Sequence, residues 1–250
     1  MKVSIITAAY NSDTYIQSCI TSVGEQDYPD IEYIIIDGKS TDATLDIIKL
    51  NEKNISKWVS EPDYGIYDAI NKGIKLANGD IIGILNSDDF FSDKNVVSRI
   101  VKAFKENGVD IIYSDLDFVD SEDTEKVIRH YSSKYFKPWM FRFGFQPAHP
   151  TFYTYRSKFN EYGYYKPDLK IAGDFELLLR FFYKNRLSYT YINDNWVKMR
   201  LGGASTSGIR SIMKLNKEIL KAFKVNDLYT NTLMVYSKYI IKWWGFTHRK

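Results

Sequence analysis

The chain has 250 residues, a formal charge of +3 from 34 basic and 31 acidic side chains, and 44% hydrophobic residues. That is enough apolar material for one large domain, and a charge balance too even for general nucleic-acid binding. A single cysteine, Cys19, excludes an internal disulfide and sits among helix-spaced apolar positions, which predicts a buried thiol in a reducing compartment.

Val3 to Ala8 reads as a buried strand, followed by a helix with Ile16, Cys19 or Ile20, and Val23 on one face. The unit repeats. Ile31 to Ile36 is a second apolar strand, and the polar turn Asp37 to Asp42 feeds Leu45, Ile47, Ile48 and Leu50. A shorter strand over Ile55 to Ser60 precedes a helix from about Ile66 to Ala77, with Ile66, Ala69, Ile70, Gly73, Ile74 and Ala77 toward the core. Asn78-Gly79 stops it, and Ile81 to Leu85 forms a strand that ends at Asn86-Ser87-Asp88-Asp89. Such alternation predicts an α/β fold, a mostly parallel sheet flanked by helices. Three polar turns, Ala8 to Ser12, Asp37 to Asp42 and Asn86 to Asp89, then share one sheet edge, where ligands bind in such folds.

The spaced glycines of a dinucleotide fold and the glycine-lysine loop of a Walker site are both missing. Two adjacent carboxylates at a strand end are either a solvated turn or a site for a hard cation. Mg2+ or Mn2+ would suit those oxygens and keep open positions for a diphosphate.

Five motifs come in order: Val3 to Asn11, Ser22-Val23 through Tyr28, Ile36-Asp37-Gly38 with Ser40-Thr41-Asp42, Asp63 to Gly73, and Asn86 to Asp89. In order and spacing they resemble family 2 glycosyltransferases of the GT-A fold, over residues 1 to 95 with looser echoes to about 206. The resemblance implies inverting transfer of a sugar from a nucleotide donor, usually a UDP-sugar, with a divalent metal on the diphosphate. Thr7, Ala8 and Tyr10 resemble the loop lining the nucleoside, and Asp37 the carboxylate that reads the base. A second acid often follows in the family; here it is Gly38. Asp68, Asn71 and Lys72 match a helix that meets the nucleotide and diphosphate, although Lys72 equally fits a solvated surface lysine. Asp88 and Asp89 match the metal motif, whose first acid is replaced by Asn86. Asp89 is expected to ligate the metal directly, and Asp88 to touch the ribose or a metal-bound water.

The remaining half should hold the acceptor and a base. Ile171 to Arg180 resembles the segment whose Asp removes the acceptor proton, which designates Asp174, a residue equally suited to capping its helix. Glu176, two positions further, is expected on an exposed first turn. His149 either faces the acceptor or the metal, or is an ordinary hydrogen-bonded histidine. Arg200 precedes a small-residue loop, 201 to 207, that resembles one closing over the donor, and would neutralise the departing diphosphate. The acids Asp115, Asp117, Asp120, Glu122 and Asp123 read as a solvated hairpin.

Three regions follow: a nucleotide-sugar-binding half over 1–95, an acceptor half over 96–208, and a helical basic and aromatic extension over 209–250. The first helix of the extension runs from Ile209 to Phe223. Leu233 to Phe246 carries Trp243 and Trp244 between lysines and is too short and charged to span a bilayer. Together with His248-Arg249-Lys250 it either lies on an anionic membrane, extending a lipid-linked saccharide at the inner face, or packs on its own domain or a second copy of the chain. The amino terminus lacks a signal-peptide pattern, which points to the cytoplasm. The expected partners are a nucleotide-sugar donor and a saccharide or lipid-linked saccharide acceptor, with no nucleic acid. Competing readings are a sugar nucleotidyltransferase and a non-catalytic nucleotide-sugar binder at the membrane.

Overall fold

A computed structural model describes residues 1–201 and 208–247. Its first four strands are β1 (Val3–Ala9), β2 (Ile31–Asp37), β3 (Lys57–Ser60) and β4 (Ile81–Ile84), all parallel, in the order β3-β2-β1-β4. They are joined by α1 (Ile16–Gly24), α2 (Thr44–Leu50) and α3 (Ile66–Leu76). Consecutive strand residues face opposite sides, so Ile5 and Ile35 pack against α1 while Ile6, Ile34 and Ile36 pack against α3. Burial on both faces is why these strands read as unbroken apolar runs. Ile66 departs from expectation: at 45% exposure it faces outward, and Tyr67, 8% exposed, takes the inward place.

A two-residue strand, β5 (Phe90–Phe91), and a helix, α4 (Val96–Asn107), follow. Then come β6 (Ile111–Val119), β7 (Val127–Tyr131), β8 (Tyr153–Tyr155) and, after the short helices α5 (Arg156–Tyr162) and α6 (Gly173–Leu178), β9 (Tyr189–Arg200). The sheet continues β4-β8-β6-β9-β5, with β7 on β6. β8 is antiparallel to both β4 and β6, so it splices the first parallel block onto β6 and β9, which run parallel to each other. Both halves of the chain thus share one sheet. The last turns of α6 widen into a π-helical stretch over Leu179–Lys184.

Two acidic patches differ from their expected exposure. Asp115 is 5% exposed and accepts bonds from Ser133 N, Ser132 Oγ and Tyr191 Oη, because β6 is an inner strand flanked by β7, β8 and β9. His130 on β7 lies between Asp117 (2.7 Å) and Asp115 (3.2 Å). Glu176, expected on a surface turn, is fully buried and meets Arg180 through Nε at 3.0 Å and Nη2 at 2.9 Å. Arg180 in turn donates to the carbonyls of Tyr162, Gly163 and Tyr164, so the pair is hydrogen-bonded on both sides, as a buried ion pair requires.

The extension forms α7 (Gly208–Val225) and α8 (Thr232–Thr247). Ile219, Ala222 and Phe223 of α7 join the core beside α6, and Asn226 Nδ2 donates to Glu176 Oε1 at 2.9 Å. Val235 of α8 is fully buried, and α8 lies against the 3-10 turn Pro138–Phe143. One face of the extension therefore packs on its own domain, while Leu233 remains 84% exposed. No described helix is long and apolar enough to cross a membrane. His248 to Lys250 and Gly202 to Ser207 lie outside the described residues.

Candidate active site

The carboxyl ends of β1 and β4 open into a cleft of about 730 Å³. Three loops at this edge are laced together: Asn11 N donates to Ser40 Oγ at 2.9 Å, Ser12 N to Thr44 Oγ1 at 2.7 Å, and Ser12 Oγ lies 2.9 Å from Ser87 Oγ. The wall carries Ala8, Tyr10 and Asp88 from the first parallel block and His149 and Asp174 from the rest of the chain. Five expected residues thus come together in one cavity.

The others stand behind that wall among the described residues. Thr7 is fully buried and donates to Leu85 O at 2.8 Å, tying β1 to the end of β4. Asp37 is fully buried, accepts from Ser40 N, Ser40 Oγ and Ser60 Oγ, and does not line the cleft. Asn71 exchanges bonds with the backbone of Tyr165, Nδ2 to O at 2.8 Å and Tyr165 N to Oδ1 at 2.9 Å, and so braces the segment before α6 against α3. Lys72 pairs with Glu61 at 2.8 Å and donates to Pro62 O, while Asp68 accepts from Tyr64 N.

One residue that the motif match contained but gave no role sits on the wall. Asp63, in the loop before α3, has one oxygen on Gly65 N at 2.7 Å, and its other oxygen lies where a side chain at position 38 would project. A Cβ on Gly38 would strike that oxygen and come within 3.3 Å of the Tyr10 ring. The glycine that breaks the two-acid pattern therefore admits a carboxylate from a different loop.

At the acid pair, Asp88 lines the cleft and Asp89 is fully buried beneath it. Asn86 Nδ2 donates to Asp89 Oδ2 at 2.8 Å, so an amide at the first motif position holds the acid that a third carboxylate would repel. Asp89 Oδ1 is buried with no hydrogen-bond partner. Burial, with the charge of Asp88 added, pushes the Asp89 carboxyl well above its ordinary value, against the opposing pull of Asn86 and Arg200. A cation reverses that logic, because it stabilises the ionised form. No group of three or more His, Cys, Asp or Glu among the described residues could cage a metal. The two carboxylates and the partnerless oxygen do fit a cation whose other ligands come from a diphosphate and water, the usual habit of Mg2+. Arg200 is behind the pair rather than in the cleft. Its Nη1 donates to Asp88 O at 2.6 Å and Nη2 to Ser18 Oγ at 3.0 Å, with the guanidinium over Phe90 and Tyr15.

Asp174 is in the first turn of α6, but the cap position is Ala172 and has no side-chain bond, so capping is not what occupies the carboxylate. Instead Gln146 Nε2 donates to Oδ2 at 2.9 Å and Tyr67 Oη approaches Oδ1 at 3.3 Å. Gly173 makes this possible, since a Cβ there would come within 2.6 Å of the Tyr67 ring. His149 is buried with Nε2 2.8 Å from Tyr165 Oη, and burial lowers its pKa despite the nearby Asp174 charge. Its described role is to hold Tyr165, which stacks on Tyr67 at 5.6 Å. Sequence gave no signal for Gln146 or Tyr67, because both act through a partner from another element.

The glycosyl transferase family 2 model matches residues 4–165. The chain belongs to that family. An uncharacterized glycosyltransferase of Mycobacterium tuberculosis is 41% identical to this family 2 chain over 107 residues, 42% of the chain and 41% of the relative. A PGL/p-HBAD biosynthesis glycosyltransferase of Mycobacterium bovis is 32% identical over 117 residues, 45% of the chain and 46% of the relative. The alignments thus span under half the length of these curated relatives. Among solved structures, S. aureus TarS 1–349 in complex with UDP-GlcNAc has a TM-score of 0.71 at 20% identity, covering 92% of this chain and 68% of that one. The mannosyltransferase PcManGT from Pyrobaculum calidifontis, in complex with GDP-Man and Mn2+, has a TM-score of 0.62 at 14% identity, covering 95% of this chain and 68% of that one. These likenesses establish the fold, a GT-A type α/β sheet.

Proposed function

We propose that this family 2 chain transfers a sugar from a UDP-sugar to a hydroxyl of a glycan or lipid-linked saccharide, with inversion at the anomeric carbon. The observation that carries this reading is the single cleft bounded by Asp88 at the end of β4 and by Asp174, whose carboxylate is oriented by Gln146 and Tyr67. Residues 1–95 hold the donor and 96–208 the acceptor. The uracil stacks on Tyr10, 63% exposed at the rim, and its N3 hydrogen is accepted by Asp63, which lines the cleft, rather than by the buried Asp37. Asp88 would face the ribose and diphosphate, and Asp89 would hold a divalent cation. Mn2+ or Mg2+, when bound, neutralises the departing diphosphate.

Asp174 removes the proton of the acceptor hydroxyl as its oxygen attacks from the side opposite the diphosphate. The bond to UDP breaks as the glycosidic bond forms, and an α-linked donor gives a β product. Arg200 fixes the Asp88 carbonyl and lends positive charge to the acid pair from behind. The TarS complex with UDP-GlcNAc supports the choice of nucleotide, and the biosynthetic relative supports a role in glycan assembly. The extension, which exposes Tyr229, Leu233 and Tyr236 and whose sequence is rich in lysine, is assigned to the inner membrane face, where a lipid-linked acceptor would lie.

The test is a panel of nucleotide sugars, each with Mn2+ and with a chelator, followed by thermal unfolding and by product release. UDP-sugars should stabilise the chain only with metal, and transfer should release UDP. Release of pyrophosphate from a nucleoside triphosphate and a sugar phosphate would replace this reading with a nucleotidyltransferase, and binding without turnover on any acceptor would leave only a binder.

A further inference from the structure

The first turn of α6 has no side-chain cap of its own, yet the two peptide hydrogens just before it are satisfied. Glu218 of α7 accepts Ile171 N at 2.8 Å and Ala172 N at 2.9 Å, both on Oε2. A carboxylate in that position satisfies donors that a helix start leaves over and complements the helix dipole. Glu218 is 9% exposed, so water does not readily replace it. From the other side, Tyr67 Oη donates to Ile171 O at 2.9 Å. The two residues before Gly173-Asp174 are thereby pinned between α3 and α7.

We propose that Glu218 is a positioning residue, through which the carboxyl-terminal extension sets the aim of Asp174 into the cleft. The extension is then part of the catalytic apparatus, and the site is incomplete without it. This rests on the reading of Asp174 as the base. The physical reason is distance: reacting atoms must be held about 3–3.5 Å apart, and a displacement of about 1 Å can cost on the order of 100-fold in rate. Removing Glu218 leaves two peptide donors without acceptors and frees the 171–172 segment to tilt. The fold is expected to survive, because α7 keeps other anchors: Asn226 on Glu176 and the Phe223 ring 6.2 Å from Phe175.

The experiment uses the full chain with Glu218→Ala, Glu218→Gln, Asp174→Asn and the double variant Glu218→Ala with Asp174→Asn. Glu218→Ala should lower kcat by about 10- to 100-fold, with UDP affinity and donor KM within about twofold of the parent. Glu218→Gln offers an amide oxygen to the same two donors and should recover most of that rate. In the Asp174→Asn background, Glu218→Ala should cost almost nothing more, since the group it aims is gone. An unchanged kcat in Glu218→Ala, a glutamine variant as slow as the alanine, or a full additional loss in the double variant would each overturn the proposal. Full activity of Asp174→Asn alone would instead overturn the reading of the base, and the single variant separates the two failures.

Discussion

Replacing Asp174 with asparagine is the sharpest perturbation, because the surroundings can absorb everything except the loss of the base. The side chain keeps its size, and Tyr67 Oη, which donates to Ile171 O, can stay beside Oδ1. Its new amide would face Gln146 Nε2, donor against donor; Gln146 can answer by rotating its amide, since its Oε1 is buried without a partner in the parent. The exchange pairs that oxygen and leaves Nε2 in its former unpartnered place, one unpaired buried group for another, so folding stability should change little. Catalysis should not be spared. General-base assistance contributes about 10²–10⁴-fold, or roughly 3–5 kcal/mol of barrier at about 1.36 kcal/mol per tenfold. The assay is initial transfer rate at saturating UDP-sugar, paired with calorimetric titration of UDP and Mn2+. A rate within about threefold of the parent would refute the assignment. A parallel collapse of UDP affinity would show that the substitution had disturbed the cleft.

Three further outcomes are expected. Asp63→Asn and Gly38→Ala should each weaken UDP binding by about tenfold, the first by removing a charged acceptor and the second by pushing it aside; unaltered affinity in both would return base recognition to another residue. Asp89→Asn should abolish the dependence of UDP affinity on Mn2+, and persistence of that dependence in calorimetry would rule out Asp89 as a ligand. For His130, burial lowers the pKa, but Asp117 and Asp115 override it and raise it above 6.5. Its contribution to stability is therefore full below about pH 6.5 and is lost as pH rises through the raised value. The melting-temperature gap between the parent and His130→Gln should narrow from pH 6 to pH 9, and a gap that stays constant would show that the two ion pairs carry no such linkage.

The first half of the fold was legible because its information is local. Unbroken apolar runs and period-3.6 patterns over residues 3 to 85 predicted β1 to β4 and α1 to α3, and Asn78-Gly79 marked the approach to the acid pair. A fully apolar strand also announces that both its faces are covered. The α4 helix and β5 lacked an assignment, and the extension's two helices were read without knowing what they touch. Amphipathic spacing names a buried face but not its partner.

Chemistry divided along the same line. Residue type and order along the chain were enough to single out Asp88, Asp89 and Asp174, because a motif repeats a short-range arrangement. Tertiary structure alone decided which side chains reach the cleft. Thr7, Asp37 and Asn71 are consumed by bonds to Leu85, to Ser40 and Ser60, and to Tyr165, while Asp63, Gln146 and Tyr67 take places on the wall. Glu176 and Asp115 look like surface acids in a one-dimensional pattern, yet both are buried because Arg180, Asn226, Tyr191 and Ser133 meet them. A carboxylate's environment depends on its partners, and those partners lie up to tens of residues away in sequence, where no spacing rule connects them. The same physics separates Glu218 from the lysines around it on α7: only packing α7 onto α6 brings that one acid to the peptide hydrogens that precede Asp174.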